Sequence, residues 1–215
     1  CSFALTEPGA GSDTNAITTT ARQEGDEFVL NGRKTFITMA PKCDYAVIFA
    51  KTDMKAGTRG ITAFIVESKW DGFSTGKPES KMGIHASVTS DIILENVRVP
   101  KENILGKIGK GFNIAMSILD AGRVTVAAQS LGAAKGALDC AVAYSKERVQ
   151  FGRQIAKFQN TQFTLADMAT KVEAARQLVY SAADKLDNHQ NVTTEAAMAK
   201  YFASETAVEV ANKSL

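Results

Sequence analysis

The chain changes its hydrophobic period once, close to residue 110, and that change constrains its fold more than any other feature. Before it, short β-branched runs alternate with turn residues. Thr18 to Gln23, Tyr45 to Thr52, Ile61 to Glu67 and Asp91 to Val99 read as strands. Phe28 to Leu30 and Arg33 to Ile37 flank Asn31-Gly32, the dipeptide that two-residue hairpin turns favour, so a hairpin is expected there. Strands so closely spaced, with no helix between them, predict an antiparallel β-barrel or sandwich. After Gly111 the period is helical. The pattern predicts a first helix over Phe112 to Arg148, with Leu131, Ala134, Leu138 and Val142 on one face. It predicts a second over Phe158 to Asp187. The second carries a stripe of Leu165, Met168, Val172, Ala175, Val179, Ala182 and Leu186. Its alternating steps of three and four form the seam of packed antiparallel helices. Gly132, Ala133, Ala134, Gly136 and Ala137 would allow close helix contact. Thr193 is placed to cap a third helix, with Glu195 in its first turn, that holds Met198, Phe202 and Val208. The expected class is α+β and multi-domain: a β domain over residues 1–108, then part of an antiparallel helix bundle over residues 109–215.

Composition narrows the function. The 215 residues are 45% hydrophobic and 22% charged, the profile of a folded globular chain, and suffice for one or two domains. A net charge of +2, with no basic run, argues against nucleic acid or an anionic membrane surface. No apolar stretch reaches the ~18 residues of a membrane span. Cys1, Cys43 and Cys140 form neither a metal pair nor a disulfide framework, which favours a reducing compartment. His85 and His189 are the only histidines, too few for a His-built metal site. The chain opens at Cys1 and runs to Leu215 inside a helical pattern, so it is expected to belong to a longer polypeptide.

The most informative string is Ala4-Leu5-Thr6-Glu7-Pro8-Gly9-Ala10-Gly11-Ser12-Asp13. Glycines beside a proline permit a sharp turn with exposed amides. Such amides, with the Thr6 and Ser12 hydroxyls, suit an anionic or acceptor-rich group. The pattern is neither a P-loop nor a dinucleotide fingerprint. It does resemble the signature of the acyl-CoA dehydrogenase family. Further strings agree in order: Leu30 to Thr38, Lys81-Met82-Gly83-Ile84-His85, Val97 to Pro100, Gly109 to Phe112, Leu119 to Arg123 and Arg148 to Arg153. The resemblance covers essentially the whole chain and is greatest to the bacterial short-chain, butyryl-CoA branch.

That resemblance implies FAD as cofactor. It places Phe3, Ala4, Leu5, Thr6, Glu7, Pro8, Gly9, Ala10, Gly11 and Ser12 against the flavin, with Thr6 donating to the pyrimidine edge of the ring. Phe36, Ile37 and Thr38 would pack on the flavin; many members have Trp at Phe36 and Asn at Met39. Arg148, Gln150, Phe151 and Gln159 would reach the FAD of a neighbouring subunit, where an arginine fork suits a pyrophosphate. Ser12, Asp120, Ala121, Gly122 and Arg123 would face the acyl-CoA substrate. From spacing alone Asp120 and Arg123 are an i,i+3 ion pair. His85 is read as structural or branch-specific, and Glu7 and Asp13 as carboxylates that serve loop structure.

The implied reaction is α,β-desaturation of an acyl-CoA thioester, with electrons passed to an electron-transfer flavoprotein and a dimer of dimers as the assembly. The family's base is usually a glutamate in a C-terminal Tyr-Glu-Gly-Thr string, which these residues do not contain. In the isovaleryl- and long-chain branches the base precedes the arginine matching Arg123, where this chain has Gly122. No catalytic residue is therefore assigned within the chain, and alone it is expected to be inactive. The alternatives are an acyl-CoA oxidase-like flavoenzyme and a non-catalytic flavin- or CoA-binding module.

Overall fold

A computed structural model describes all residues from Cys1 to Leu215. They form two compact units, Cys1–Met116 and Ser117–Leu215. In chain order the elements are β1 (Ser2–Ala4), β2 (Thr20–Glu24), β3 (Glu27–Thr38), β4 (Tyr45–Lys51), β5 (Ile61–Glu67), β6 (Phe73–Thr75), β7 (Thr89–Pro100) and β8 (Ile104–Leu105). Then come α1 (Gly111–Glu147), the short pair β9 (Val149–Gln150) and β10 (Arg153–Gln154), α2 (Gln159–Asp187) and α3 (Thr193–Lys213).

The first unit is one eight-stranded sheet. Its path runs β6-β7-β3-β2-β4-β5-β8, and β1 lies beside β4. Pairing is antiparallel except where β1 and β2 meet β4, which are parallel contacts. Phe28, Leu30, Ile48, Phe64, Val66, Ile92 and Val97 interdigitate in the core, and the rings of Phe28 and Phe64 sit 5.2 Å apart. Period-2 alternation pairs Phe28 with Leu30 and Phe64 with Val66, and on β7 an extra residue between Leu94 and Val97 brings Ile92 and Val97 into the same core.

The hairpin expected at Asn31-Gly32 is absent. β3 runs straight through it and stays paired with β7, Leu30 opposite Val97 and Gly32 opposite Leu94, with a register shift between. The dipeptide makes no turn, and the extra residue of the bulge lies on β7, between Leu94 and Val97. Two contacts decide this. Asn31 Oδ1 accepts the backbone N–H of Asn96 at 2.8 Å, committing its side chain to β7. Thr19 occupies the space beside Gly32, whose φ is +152° and where an added Cβ would fall 2.4 Å from Thr19 Oγ1. The hairpin turn is Gly25-Asp26, between Glu24 and its partner Glu27.

The second unit is helical. Met168, Val172, Ala175, Val179 and Ala182 of α2 are buried, as their stripe predicts. They pack with Val124, Ala127, Leu131 and Ala134 of α1 and with Ala196, Ala199, Ala203 and Val210 of α3. Two expectations, close contact through the small residues of α1 and the cap at Thr193, need correction. Of the small residues on α1, Ala134 is buried and Ala137 packs against the core, but Gly132, Ala133 and Gly136 face solvent. The 3.6-residue period turns them away from the Ala127–Leu131–Ala134 line. On α3, Met198 and Val208 are exposed and alanines form the inner face. Thr193 is not a cap either: Val192 holds that position without a side-chain bond, and the Thr193 hydroxyl goes to Asp120.

Gly32→Ala should therefore destabilise the β unit by about 1–3 kcal/mol, since both its φ and its crowding oppose a side chain. Urea unfolding would show this, and a neutral Gly32→Ala would refute the crowding at Thr19.

Candidate functional site

The glycine-rich loop is held by a buried ion pair. Lys34 and Glu7 lie 2.7 Å apart, with side chains 0% and 3% exposed. Glu7 Oε2 also accepts from the backbone N–H and hydroxyl of Thr18, at 2.7 and 2.8 Å. Its Oε1 accepts from the N–H of Thr19 at 3.1 Å. Lys34 Nζ donates in addition to the Leu5 carbonyl at 3.1 Å. Burial alone would raise the Glu7 pKa, but the Lys34 ammonium and the donated hydrogen bonds bring it down to about 2, from an ordinary 4.5. Burial lowers Lys34 to about 8, against the pull of Glu7. Thus Glu7 is a strut.

Above the strut the loop closes on itself. Glu7 N–H donates to the Ala10 carbonyl at 2.9 Å and Ala10 N–H to the Glu7 carbonyl at 3.1 Å, with Pro8-Gly9 at the tip. Asp13 Oδ1 accepts the N–H of Asn15 at 3.1 Å and so ends the loop. Gly9 and Gly11 do not need glycine's backbone freedom, because neither has a positive φ. An added Cβ on either would meet no protein atom within 4 Å. The side they leave bare is open space, which fits a group approaching the backbone closely.

Strand β3 brings the second half of the site. Its register slips again between Lys34 and Ile37. The slip places Phe36 at φ 56° with its ring 66% exposed, between buried Thr35 and Ile37. Bulges re-aim side chains in this way, and positive φ at an aromatic residue is costly strain that clusters at binding sites. The N–H of Thr35, freed by the bulge, donates to the Thr6 carbonyl at 2.9 Å. The Ser2 hydroxyl donates to the Thr38 carbonyl at 2.8 Å. Met39 follows at φ 59° and is also exposed. The loop and the bulge are thus one construction. Phe3 (its ring 5.0 Å from that of Phe49) and buried Ala4, Leu5 and Ala10 support it from beneath, as does Ile37; Thr6, Pro8, Ser12, Phe36 and Thr38 reach its surface. An aromatic plane, open glycine backbone and hydroxyl donors fit an isoalloxazine ring with its phosphates.

In the second unit, half-buried Asp120 and Arg123 form the expected ion pair on α1, flanking Ala121 and Gly122. Asp120 Oδ2 accepts the Thr193 hydroxyl at 2.7 Å, so both its oxygens are engaged. Arg148, Gln150 and Phe151 lie together at the β9–β10 hairpin, all exposed; Phe151 is at φ 53° and 93% exposed. Arg153 stacks over the Phe158 ring at 4.0 Å, and Gln159 opens α2, exposed. His85 sits on a surface loop, its Nε2 2.7 Å from the Lys81 carbonyl. Sequence reasoning missed Lys34, Thr18 and Thr193 as site supports. The first carried a readable signal, a lysine at an inward position of an apolar strand.

Comparison with known proteins identifies the family. The acyl-CoA dehydrogenase middle domain matches residues 2–97, and the C-terminal domain of the same family matches residues 109–215. A caffeyl-CoA reductase-Etf complex subunit, CarC, of Acetobacterium woodii is 61% identical over 213 residues. A 3-(aryl)acrylate reductase of Clostridium sporogenes is 60% identical over 213 residues. The three-dimensional structure of butyryl-CoA dehydrogenase from Megasphaera elsdenii superposes with a TM-score of 0.96 at 50% identity. Each match covers 99% of this chain, which spans 56% of the length of each of these proteins. Fold and sequence thus define a class of flavoprotein. The chain belongs to the acyl-CoA dehydrogenase family, whose cofactor is FAD.

Glu7→Gln should cost roughly 3–5 kcal/mol, because it leaves a buried ammonium without its counter-charge. The double change Glu7→Leu with Lys34→Met should cost less than the sum of the two single changes; additive losses in denaturant unfolding would deny the coupling. The acid side follows from the sign of the Glu7 shift. Its folded pKa lies below its unfolded one, so its contribution is complete above about 4.5 and is lost as pH falls toward about 2. Unfolding midpoints followed from pH 5 to pH 2 should lose this contribution in the parent and not in the double variant.

Proposed function

We propose that the protein carrying this chain interconverts an acyl-CoA thioester and its trans-2-enoyl counterpart on FAD, exchanging electrons with an electron-transfer flavoprotein. The observation that carries this is the joining of the open glycine loop to the Phe36 bulge through Lys34–Glu7 and Thr35–Thr6. FAD, when bound, supplies the hydride acceptor. The chain's own groups bind and orient. Phe36 offers a ring face, Thr6 a donor to the flavin edge, and Ser12 with the loop amides offers donors to phosphate. On α1, Asp120, Ala121, Gly122 and Arg123 face the substrate. In desaturation the Cα–H bond yields a proton to a carboxylate, the Cβ–H bond yields a hydride, and a C=C bond forms. Glu7 is locked by Lys34, Asp13 holds the loop end and Asp120 is clamped on both oxygens, so none is assigned as that base. Arg148, Gln150, Phe151 and Gln159 reach the FAD of a neighbouring subunit in a dimer of dimers, which accounts for a 93% exposed phenylalanine on a hairpin.

A second reading concerns substrate and direction. The motifs favour a short acyl chain. The relatives at 61% and 60% identity, however, are named as reductases of aryl-substituted enoates, whereas the butyryl-CoA dehydrogenase stands at 50%. This difference favours a 3-aryl-2-enoyl thioester reduced to its saturated form.

The test is an anaerobic visible spectrum of the full-length polypeptide. Bleaching of the flavin by butyryl-CoA supports the short-chain reading. Reoxidation of photoreduced flavin by cinnamoyl-CoA, with little bleaching by butyryl-CoA, supports the aryl reading. Rapid peroxide formation in air would favour an oxidase. A flavin that responds to no thioester would leave only a binding module.

In the same protein Gly9→Ala and Gly11→Ala should leave the unfolding midpoint unchanged, because their surroundings are empty. They should weaken FAD binding at least severalfold by fluorescence titration. Unchanged FAD affinity in both would remove the loop from the cofactor site.

A further inference from the structure

We propose that Thr193 is a positioning residue for the acyl-CoA site, acting through Asp120 on Arg123. This rests on the reading that Asp120 and Arg123 face the substrate. Asp120 has a side chain only 17% exposed, and each of its two oxygens has one partner: Arg123 on Oδ1 and the Thr193 hydroxyl on Oδ2. The Thr193 hydroxyl has no duty on its own helix. The N–H of Thr193 donates to Asn191 Oδ1 at 3.2 Å, and Val192 stands at the cap position. A threonine at a helix start that forgoes capping to hold a carboxylate 73 residues away in sequence is a tertiary device.

The geometry gives the device its effect. A carboxylate held by one arginine alone can rotate about its Cβ–Cγ bond and let the guanidinium swing. The second bond fixes the carboxylate plane, and the plane fixes the guanidinium that bonds to it. Arg123 keeps 40% of its side chain exposed and has no other protein partner, so its remaining N–H groups are presented outward in one orientation. Asp120 also lines a polar cleft of about 420 Å³ with Ser117 and with His189, Gln190 and Asn191 of the α2–α3 turn. Thr193 therefore ties the far wall of that cleft to the near one. Preorganisation of this kind lowers the cost of ordering a charged side chain at binding, so its loss falls on substrate affinity and spares the chemical step.

The test uses the full-length, FAD-loaded protein and the thioester that bleaches or reoxidises its flavin. Thr193→Val is nearly isosteric and sits on the surface, so it should fold. It should raise KM about fivefold to tenfold, the factor a lost hydrogen bond of ordinary net strength gives, with kcat and flavin content within twofold of the parent. Thr193→Ser restores the hydroxyl and should restore KM. In an Asp120→Asn background, Thr193→Val should add little. If Thr193→Val lowers only the melting temperature and leaves KM unchanged, Thr193 is merely a staple between α1 and the turn, and the proposal is wrong. Arg123→Ala separates the two levels. Unchanged KM in that variant overturns the substrate-side reading of the pair itself. Raised KM in Arg123→Ala with unchanged KM in Thr193→Val overturns the role of Thr193 alone.

Discussion

The site depends on one buried ion pair. An ammonium and a carboxylate without solvent cannot be left single, so the position of Lys34 on β3 dictates where Glu7, and with it the glycine loop, must sit. The pair is also fully bonded. Glu7 takes two bonds from Thr18 and one from Thr19, and Lys34 takes the Leu5 carbonyl. A satisfied network of this kind has one arrangement, whereas an apolar contact in the same place would permit sliding. Beyond the pair the loop is ordered only by backbone bonds and Asp13, and its tip is exposed, with open space where a side chain on Gly9 or Gly11 would lie.

That anchoring makes the irregularities of β3 usable. A regular strand would alternate its side chains and bury every second one. Two slips in register separate β3 and β7: the first adds a residue to β7, between Leu94 and Val97 opposite Asn31, and the second adds one to β3, which breaks its alternation and pushes Phe36 outward. The second slip frees a backbone N–H, and the loop carbonyl of Thr6 accepts it. Strain at Phe36 is thus sustained by the loop, and the loop is placed by the strand that carries the strain. The helical unit works by similar means at smaller scale. Its core of alanines and valines fixes the helices, and Asp120, held from two sides, fixes the group that α1 presents.

How much of this was legible depends on the range of the interaction. The α2 stripe from Leu165 to Leu186 and the strand runs of β4, β5 and β7 were readable, because their periods are local consequences of which face is buried. Phe36 was singled out only through its motif; nothing in Lys34-Thr35-Phe36 announces a bulge. Asn31-Gly32 was misread as a turn because the dipeptide allows one, and the choice was made by Asn96 and Thr19, neither of them a neighbour in sequence. Thr193 was misread as a cap for the same reason: its preferred local partner lost to Asp120 on another helix.

The sequence by itself determined the two halves and their periods, the helix faces, the exposed glycine loop and, through the order of its motifs, the family. These follow from properties carried by single residues and their near neighbours, namely burial preference, propensity and spacing. Only the tertiary structure decided which groups lock Glu7 in place, that β3 runs straight through Asn31-Gly32 opposite a bulge in β7, and that Asp120 is clamped on both sides. Each is a competition between a local partner and a distant one, and it is settled only when burial removes water as the third choice.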